Sequence, residues 1–116
     1  MSREFKDPEK ISEWKGDKDL PKGVEEIILY RDANLGTYVR LVKVAPGWRG
    51  PNAPRKHDFD EVVYIIQGAM TDRLTNKKYT AGMFASFPEG LEHGPLDAPE
   101  GTFTIEFRHY KRKVAK

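Results

Sequence analysis

Residues 55–68, RKHDFDEVVYIIQG, decide the fold of this 116-residue chain. They contain one of its three histidines among charged residues and continue into the most sustained apolar run of β type in the sequence. The run from Val62 to Ile66 is apolar at every position, so the strand that it predicts is apolar on both faces. Such a strand needs cover on both sides, from a barrel interior on one and from a second sheet or subunit on the other. The pattern therefore favours a homodimer.

Short apolar segments separated by glycine and proline turns lie on both sides of this stretch. The predicted strands cover residues 24–31, 37–45, 61–67, 83–87 and 102–110, with a hairpin over 69–81. The strand over 61–67 is expected to stop at Gly68, while residues 48–54 form a loop without regular structure and residues 96–101 form a turn. Short strands with no long helix between them indicate an all-β sandwich or barrel.

The chain is expected to contain one folded domain with short extensions at both ends. Residues 1–23 are polar and are interpreted as an N-terminal arm, which Ile11 and Trp14, three positions apart, could dock onto the body through a short helical turn. Residues 24–110 form the predicted barrel, and residues 111–116, KRKVAK, form a basic and solvated tail.

Composition excludes several classes of function. Twenty basic and eighteen acidic residues leave a net charge of +2, which argues against a nucleic-acid partner or an anionic membrane. The sequence has no run that could span a bilayer, and its polar N-terminus is unlike a signal peptide, so a cytoplasmic location is expected. Because there is no cysteine, disulfides and thiolate ligands are excluded and any metal must be held by nitrogen and oxygen.

Two stretches carry residues suited to chemistry. Because alternate side chains of a strand share a face, Arg55, His57 and Glu61 are expected to lie beside the start of an apolar interior. A buried carboxylate needs a partner, and a metal cation, an arginine or a histidinium would each serve. In the second stretch, PEGLEH, a turn set by Pro88 and Gly90 places His93 at the end of a loop.

The second stretch resembles the second motif of the cupin superfamily, small β-barrels of the jelly-roll or double-stranded β-helix type. That motif is a glycine, five residues, proline-x-glycine, two residues, a histidine, three residues and an asparagine. The spacing is matched by Gly82, Pro88, Gly90 and His93, with Asp97 in place of the asparagine.

The first cupin motif ends histidine-x-histidine, three or four residues, glutamate, six residues, glycine. It is matched by His57, Glu61 and Gly68, whereas Arg55 stands in place of the first histidine and Gly50 lies one residue from the opening glycine. The resemblance covers about residues 37–110 and implies a cupin-type barrel preceded by the N-terminal arm.

The resemblance implies one divalent metal inside the barrel, held by His57, Glu61 and His93. Two imidazoles and one carboxylate are the facial triad of non-haem Fe(II) proteins, and Zn, Mn, Ni or Cu would also accept them. Arg55 leaves two alternatives open. It pairs with Glu61 and takes the place of the cation, or it lies at the rim and binds an anionic substrate.

Tyr38 and Arg40 alternate on one face of a predicted strand and are the other candidates for substrate binding, whereas no catalytic residue is assigned. The resemblance implies a small-molecule partner and dioxygenase, isomerase or lyase chemistry on an organic acid, sugar derivative or phenol. The alternative is a cupin that binds a small ligand without catalysis and without a metal. Fold alone does not choose between them.

Overall fold

The computed structural model of the chain describes residues 4–16, 20–53 and 55–111. Within these ranges one short helix, α1 (Pro8–Ile11), precedes eight strands. The strands are β1 (Val24–Asp32), β2 (Thr37–Val44), β3 (Trp48–Arg49), β4 (Asp60–Asp72), β5 (Lys77–Thr80), β6 (Phe84–Phe87), β7 (Leu96–Ala98) and β8 (Thr102–His109). The predicted all-β fold class is confirmed. No helix in the described chain is both long enough and apolar enough to cross a membrane.

The strands form an antiparallel sheet in the order β1-β2-β8-β4-β7-β3, and β5 and β6 pair with β4 outside this path. β4 contains most of the stretch that decides the fold, and it pairs with β5, β6, β7 and β8. One strand can serve four partners because it is thirteen residues long and its two halves pair differently.

β4 does not stop at Gly68 as predicted but runs on to Asp72. Gly68 has a φ of 82°, and the backbone of Gly101 lies where a Cβ atom would stand. Glycine therefore bends the strand instead of ending it, because only glycine adopts this conformation readily and lets another backbone approach so closely. Beyond the bend, residues 69–72 form the predicted hairpin with β5.

The predicted loop over 48–54 and turn over 96–101 each contain a short strand. Trp48 pairs with Ala98 and Arg49 pairs with Asp97, so β3 and β7 form a two-residue ladder. Strands this short carry too few residues for an alternation pattern, and only the tertiary contact reveals them.

The N-terminal arm docks through Trp14 rather than through both predicted residues. The Trp14 ring meets Phe103 edge to face at 5.7 Å between centroids, and the Lys43 ammonium lies 4.3 Å from its centroid. Lys15 adds a bridge to Glu26 of β1, whereas Ile11 is 68% exposed. Most of the predicted basic tail, residues 112–116, lies outside the described residues.

The two faces of β4 differ in environment. Glu61, Val63 and Ile65 face the interior and are buried, whereas Val62 and Tyr64 on the outer face are 39% and 43% exposed. The inner face of β4 is therefore covered by the rest of the sheet, as predicted. The outer face is apolar, and the described residues of this chain leave it exposed to solvent.

Candidate metal centre

The centre is built where two loops join at one end of the sheet. The backbones of Arg55 and His93 exchange two hydrogen bonds of 2.8 and 2.9 Å, and the Gly90 amide donates to the His57 carbonyl at 3.0 Å. These bonds join the segment before β4 to the loop between β6 and β7. They explain why imidazoles thirty-six positions apart, and Glu61 at the start of β4, meet in space.

His57, Glu61 and His93 each offer one ligand atom, and these atoms all lie within 4.8 Å of one another. His57 Nε2 is 3.8 Å from Glu61 Oε1, and the two imidazole rings are 4.6 Å apart between centroids. A cation with bonds of about 2.1 Å holds its ligand atoms roughly 3.0–3.5 Å apart. The group is therefore arranged to hold an ion after a small closure.

His93 supplies the strongest evidence that the residues fit a metal. Both of its ring nitrogens, Nδ1 and Nε2, are buried without a hydrogen-bond partner among the described residues. Buried polar atoms are nearly always paired, so an orphaned imidazole beside a second imidazole and a carboxylate points to a ligand at this position.

The electrostatics of the two histidines favour the form that binds metals. Burial, reinforced by the charges of His93, Arg108 and Arg55, lowers the pKa of His57 from 6.5 to about 4. Burial and the charges of Arg55 and Arg108 also lower the pKa of His93. Both imidazoles are therefore neutral near pH 7, which is the state that offers a lone pair to a cation.

Glu61 has an arginine partner, but it is not the one that the sequence suggested. No ion pair joins Arg55 to Glu61 in the described chain, and the Arg55 side chain is exposed. Instead, Arg108 Nε donates to Glu61 Oε2 at 2.7 Å. The two residues are register partners on β4 and β8, which sequence reasoning missed because strand pairing cannot be read from one strand.

The pair belongs to a larger ionic network on the inner face of the sheet. Arg40 donates to Glu26 and to Glu106, in each case at 2.8 Å, and the Tyr38 hydroxyl donates to Glu26 at 2.7 Å. Arg108 Nη2 lies 3.5 Å from Glu106 and connects this group to Glu61. The network contains three carboxylates (Glu26, Glu61, Glu106) and two guanidinium groups (Arg40, Arg108), so the network itself carries one net negative charge, and Arg55 lies outside it beside His93.

Burial raises the pKa of Glu61, and the charge of Glu106 raises it further, while Arg108 opposes both effects. A carboxylate buried this deeply is stabilised in its charged form by each cation that reaches it. Arg108 provides one such cation, and the net negative charge of the network leaves room for another.

Aromatic rings hold the site residues in place. Phe59 is buried, and its ring stacks on the His57 imidazole with 4.4 Å between centroids. The Arg108 guanidinium lies 4.6 Å from the centroid of the Phe59 ring. Phe87 stacks on His93 at 4.2 Å between centroids. These phenylalanines restrict the rotation of both imidazoles, and their role was not apparent from the sequence.

The predicted substrate-binding residues occupy different positions. Tyr38 lines an open cavity of about 580 Å³ together with Arg108 and Tyr110. Arg40 is 7% exposed and donates from all three guanidinium nitrogens to glutamates. Arg55 lies at the loop junction beside His93, outside the lining of this cavity.

Asp97, at the position of the motif asparagine, faces away from the centre. It accepts hydrogen bonds from Arg73 and from the Gly50 amide, and it pairs across strands with Arg49. The hydrogen bond from Arg73 lowers the pKa of Asp97. This residue therefore anchors the loop after β3 rather than joining the histidines.

A curled antiparallel sheet with two imidazoles and a carboxylate at one end is the architecture of a cupin-type β-barrel. The family model of the ChrR cupin-like domain, Cupin_7, matches residues 9–112, and the chain belongs to this family. The predicted membership of the cupin superfamily is thereby confirmed.

Several solved structures share the fold. An RmlC-like cupin from Shewanella frigidimarina NCIMB 400 is 21% identical with a TM-score of 0.72, covering 97% of this chain and 95% of its own. KdgF from Halomonas sp. is 21% identical with a TM-score of 0.70, and the match covers 89% of this chain and 92% of the KdgF chain. A chain from the complex of Rhodobacter sphaeroides SigE with the anti-sigma ChrR is 22% identical with a TM-score of 0.62, covering 84% of this chain and 48% of that one. A comparison with proteins of curated function found no match.

Proposed function

We propose that this protein binds one divalent metal through His57, Glu61 and His93 and acts there on a small organic molecule. The observation that carries the proposal is the half-buried His93 ring, whose two nitrogens are shielded from solvent and lack partners among the described residues, beside His57 and Glu61. Fe, Zn, Mn, Ni and Cu all accept two imidazoles and a carboxylate. A cavity of about 580 Å³, in the size range of small-molecule sites, has Arg108 in its lining, whereas His57, Glu61 and His93 are not among its lining residues.

The side chains around the cavity indicate the class of substrate. Arg108 offers N–H donors to an organic acid, a sugar derivative or a phenol, whereas the Tyr38 hydroxyl already donates to Glu26 and can only accept from a substrate. Arg55 lies beside His93, where it can neutralise an anionic group. A metal held by the three ligands would polarise a carbonyl or enolate oxygen or bind O2, which supports dioxygenase, isomerase or lyase chemistry.

The first test measures metal content in protein purified without a polyhistidine tag. We expect about one equivalent of a divalent metal in the parent protein and a clearly lower metal content in His57→Ala and in His93→Ala, because each change removes a ligand. His109→Ala is the matched control, since His109 is an exposed histidine at the end of β8. Equal metal content in all four proteins would refute the proposal.

A second candidate function is ligand binding or sensing without turnover. Two observations favour it. The family is described by the cupin-like domain of ChrR, and a structurally similar chain occurs in a complex of SigE with the anti-sigma ChrR. Arg108 already compensates the charge of Glu61. Oxygen uptake or substrate turnover that disappears in His57→Ala supports the enzyme, whereas a change in ligand affinity alone supports the binding protein.

We propose further that a second copy of the chain covers the outer face of β4, in a cytoplasmic homodimer. Val62 lies opposite Phe107 and Tyr64 opposite Phe84, so exposed apolar side chains form a continuous patch across β8, β4 and β6. An exposed apolar sheet face can pair with its own copy about a twofold axis, because each copy then offers the same surface.

A further inference from the structure

The two oxygens of the Glu61 carboxylate have different environments. Oε2 accepts the hydrogen bond of 2.7 Å from Arg108 Nε. Oε1 lies 3.8 Å from His57 Nε2, on the side of the two imidazoles. The side chain is only 5% exposed, so solvent does not hold it in this orientation.

The Arg108 side chain is itself fixed on several sides. Its guanidinium lies 4.6 Å from the centroid of Phe59, and its Nη2 atom lies 3.5 Å from Glu106. Phe59 stacks in turn on His57. Arg108 therefore contacts the Glu61 carboxylate, the Phe59 ring that stacks on His57, and Glu106 of the ionic network.

We propose that Arg108 is a positioning residue, which holds Glu61 with a single oxygen turned to the histidines and thereby strengthens metal binding. The inference rests on the proposed metal site and assigns to it a residue that neither cupin motif contains. Partners that orient a ligand in this way typically change metal affinity by about 10- to 100-fold.

Arg108 could instead weaken metal binding through its charge, so the direction in which the affinity changes distinguishes the two roles. A guanidinium beside a dication repels it, so a purely Coulombic role predicts that removal of Arg108 tightens metal binding. However, Glu61, Glu106 and Glu26 already outnumber the two guanidinium groups of the network. Repulsion is therefore largely compensated, and loss of the fixed hydrogen bond should dominate.

The experiment measures the affinity of metal-stripped protein for Zn²⁺ and for Co²⁺ by competition with a chelator. We expect Arg108→Met to bind 10- to 100-fold more weakly than the parent protein. Arg108→Lys keeps the charge without the planar array of donors, so its affinity should lie between the two. Lys78→Met is the control, because it removes a cation from β5 that pairs with Glu100 in the β7–β8 turn and with none of the three proposed ligands.

The absorption spectrum of the Co²⁺ form adds a readout that a merely structural role would not change. If Arg108 keeps Glu61 bound through one oxygen, its loss lets both oxygens reach the ion, and the intensity of the ligand-field bands changes. The spectrum of Lys78→Met should match that of the parent protein. Thermal unfolding of each metal-free variant shows whether it is folded.

The outcomes separate this inference from the proposed function. A parent protein that binds neither ion refutes the metal site itself. The role of Arg108 is overturned if the parent protein binds metal and Arg108→Met binds it with equal or higher affinity and an unchanged Co²⁺ spectrum. The metal site itself is unaffected by that result. Should Arg108→Met fail to fold, Arg108→Lys decides, and parent-like affinity in that variant overturns the inference.

Discussion

At the scale of single residues, the inner face of the sheet places charged groups where a barrel normally packs apolar ones. Arg40 and Glu61 are 7% and 5% exposed, and each is paired. Buried charges require partners, and loss of one partner is strongly destabilising because the other is left uncompensated. The charged groups of the network therefore depend on one another. Tyr38 donates a hydrogen bond to Glu26 at one end of the network, so its pKa is sensitive to the charges there.

Tyr38 should titrate abnormally late. Burial, together with the hydrogen bond to Glu26 and the charge of that residue, raises its pKa from 10 to about 12. Ultraviolet absorbance of tyrosinate should show a step near pH 12, and this step should be missing in Tyr38→Phe. Because the folded pKa exceeds the unfolded one, the stabilisation is complete below pH 10 and disappears as the pH rises through about 12. A parent protein without a step near pH 12, so that Tyr38→Phe only lowers the total absorbance change, would contradict the network.

At the scale of elements, β4 depends on Gly68. Alanine there should destabilise the protein for two reasons, a φ of 82° and a Cβ pressed against the backbone of Gly101. Gly82→Ala is the matched control, since Gly82 has a φ of 90° but no heavy atom within 4 Å of the added Cβ.

The left-handed conformation costs alanine about 1–2 kcal/mol at either position. The clash at Gly68 should add about 1–3 kcal/mol to the loss of unfolding free energy measured in urea. Equal losses in the two variants would show that the close approach to Gly101 is not a constraint on β4.

The same element shows what sequence reasoning could and could not reach. Alternation and turn residues placed β1, β2, β6, β8 and the start of β4 within a few residues, because these patterns are local. The motif spacing indicated His57, Glu61 and His93, which the structure brings together. Arg108 was not found, because its contact with Glu61 depends on the register of β8 against β4. Trp48–Arg49 and Leu96–Ala98 were missed because only their mutual pairing defines them.

At the scale of the whole molecule, the inner and outer faces of the sheet serve separate purposes. The inner face carries the candidate centre, and the outer face exposes Tyr64, Phe84 and Phe107 to 43%, 70% and 46%. A change on the outer face should therefore alter assembly without altering the metal site. This separation makes the proposed homodimer testable by itself.

Size-exclusion chromatography with light scattering should give twice the mass of one chain. Phe84→Lys places a charge on the most exposed aromatic residue of the apolar patch and should weaken dimerisation at least about thirtyfold, the equivalent of 2 kcal/mol for an aromatic anchor. Leu74→Lys is the control, because Leu74 is 68% exposed in the β4–β5 turn, away from the patch. A parent protein with the mass of a single chain at all concentrations would remove the dimer. If Phe84→Lys lost metal together with the partner, the two faces would be coupled, and the centre would have to be regarded as a property of the assembled pair.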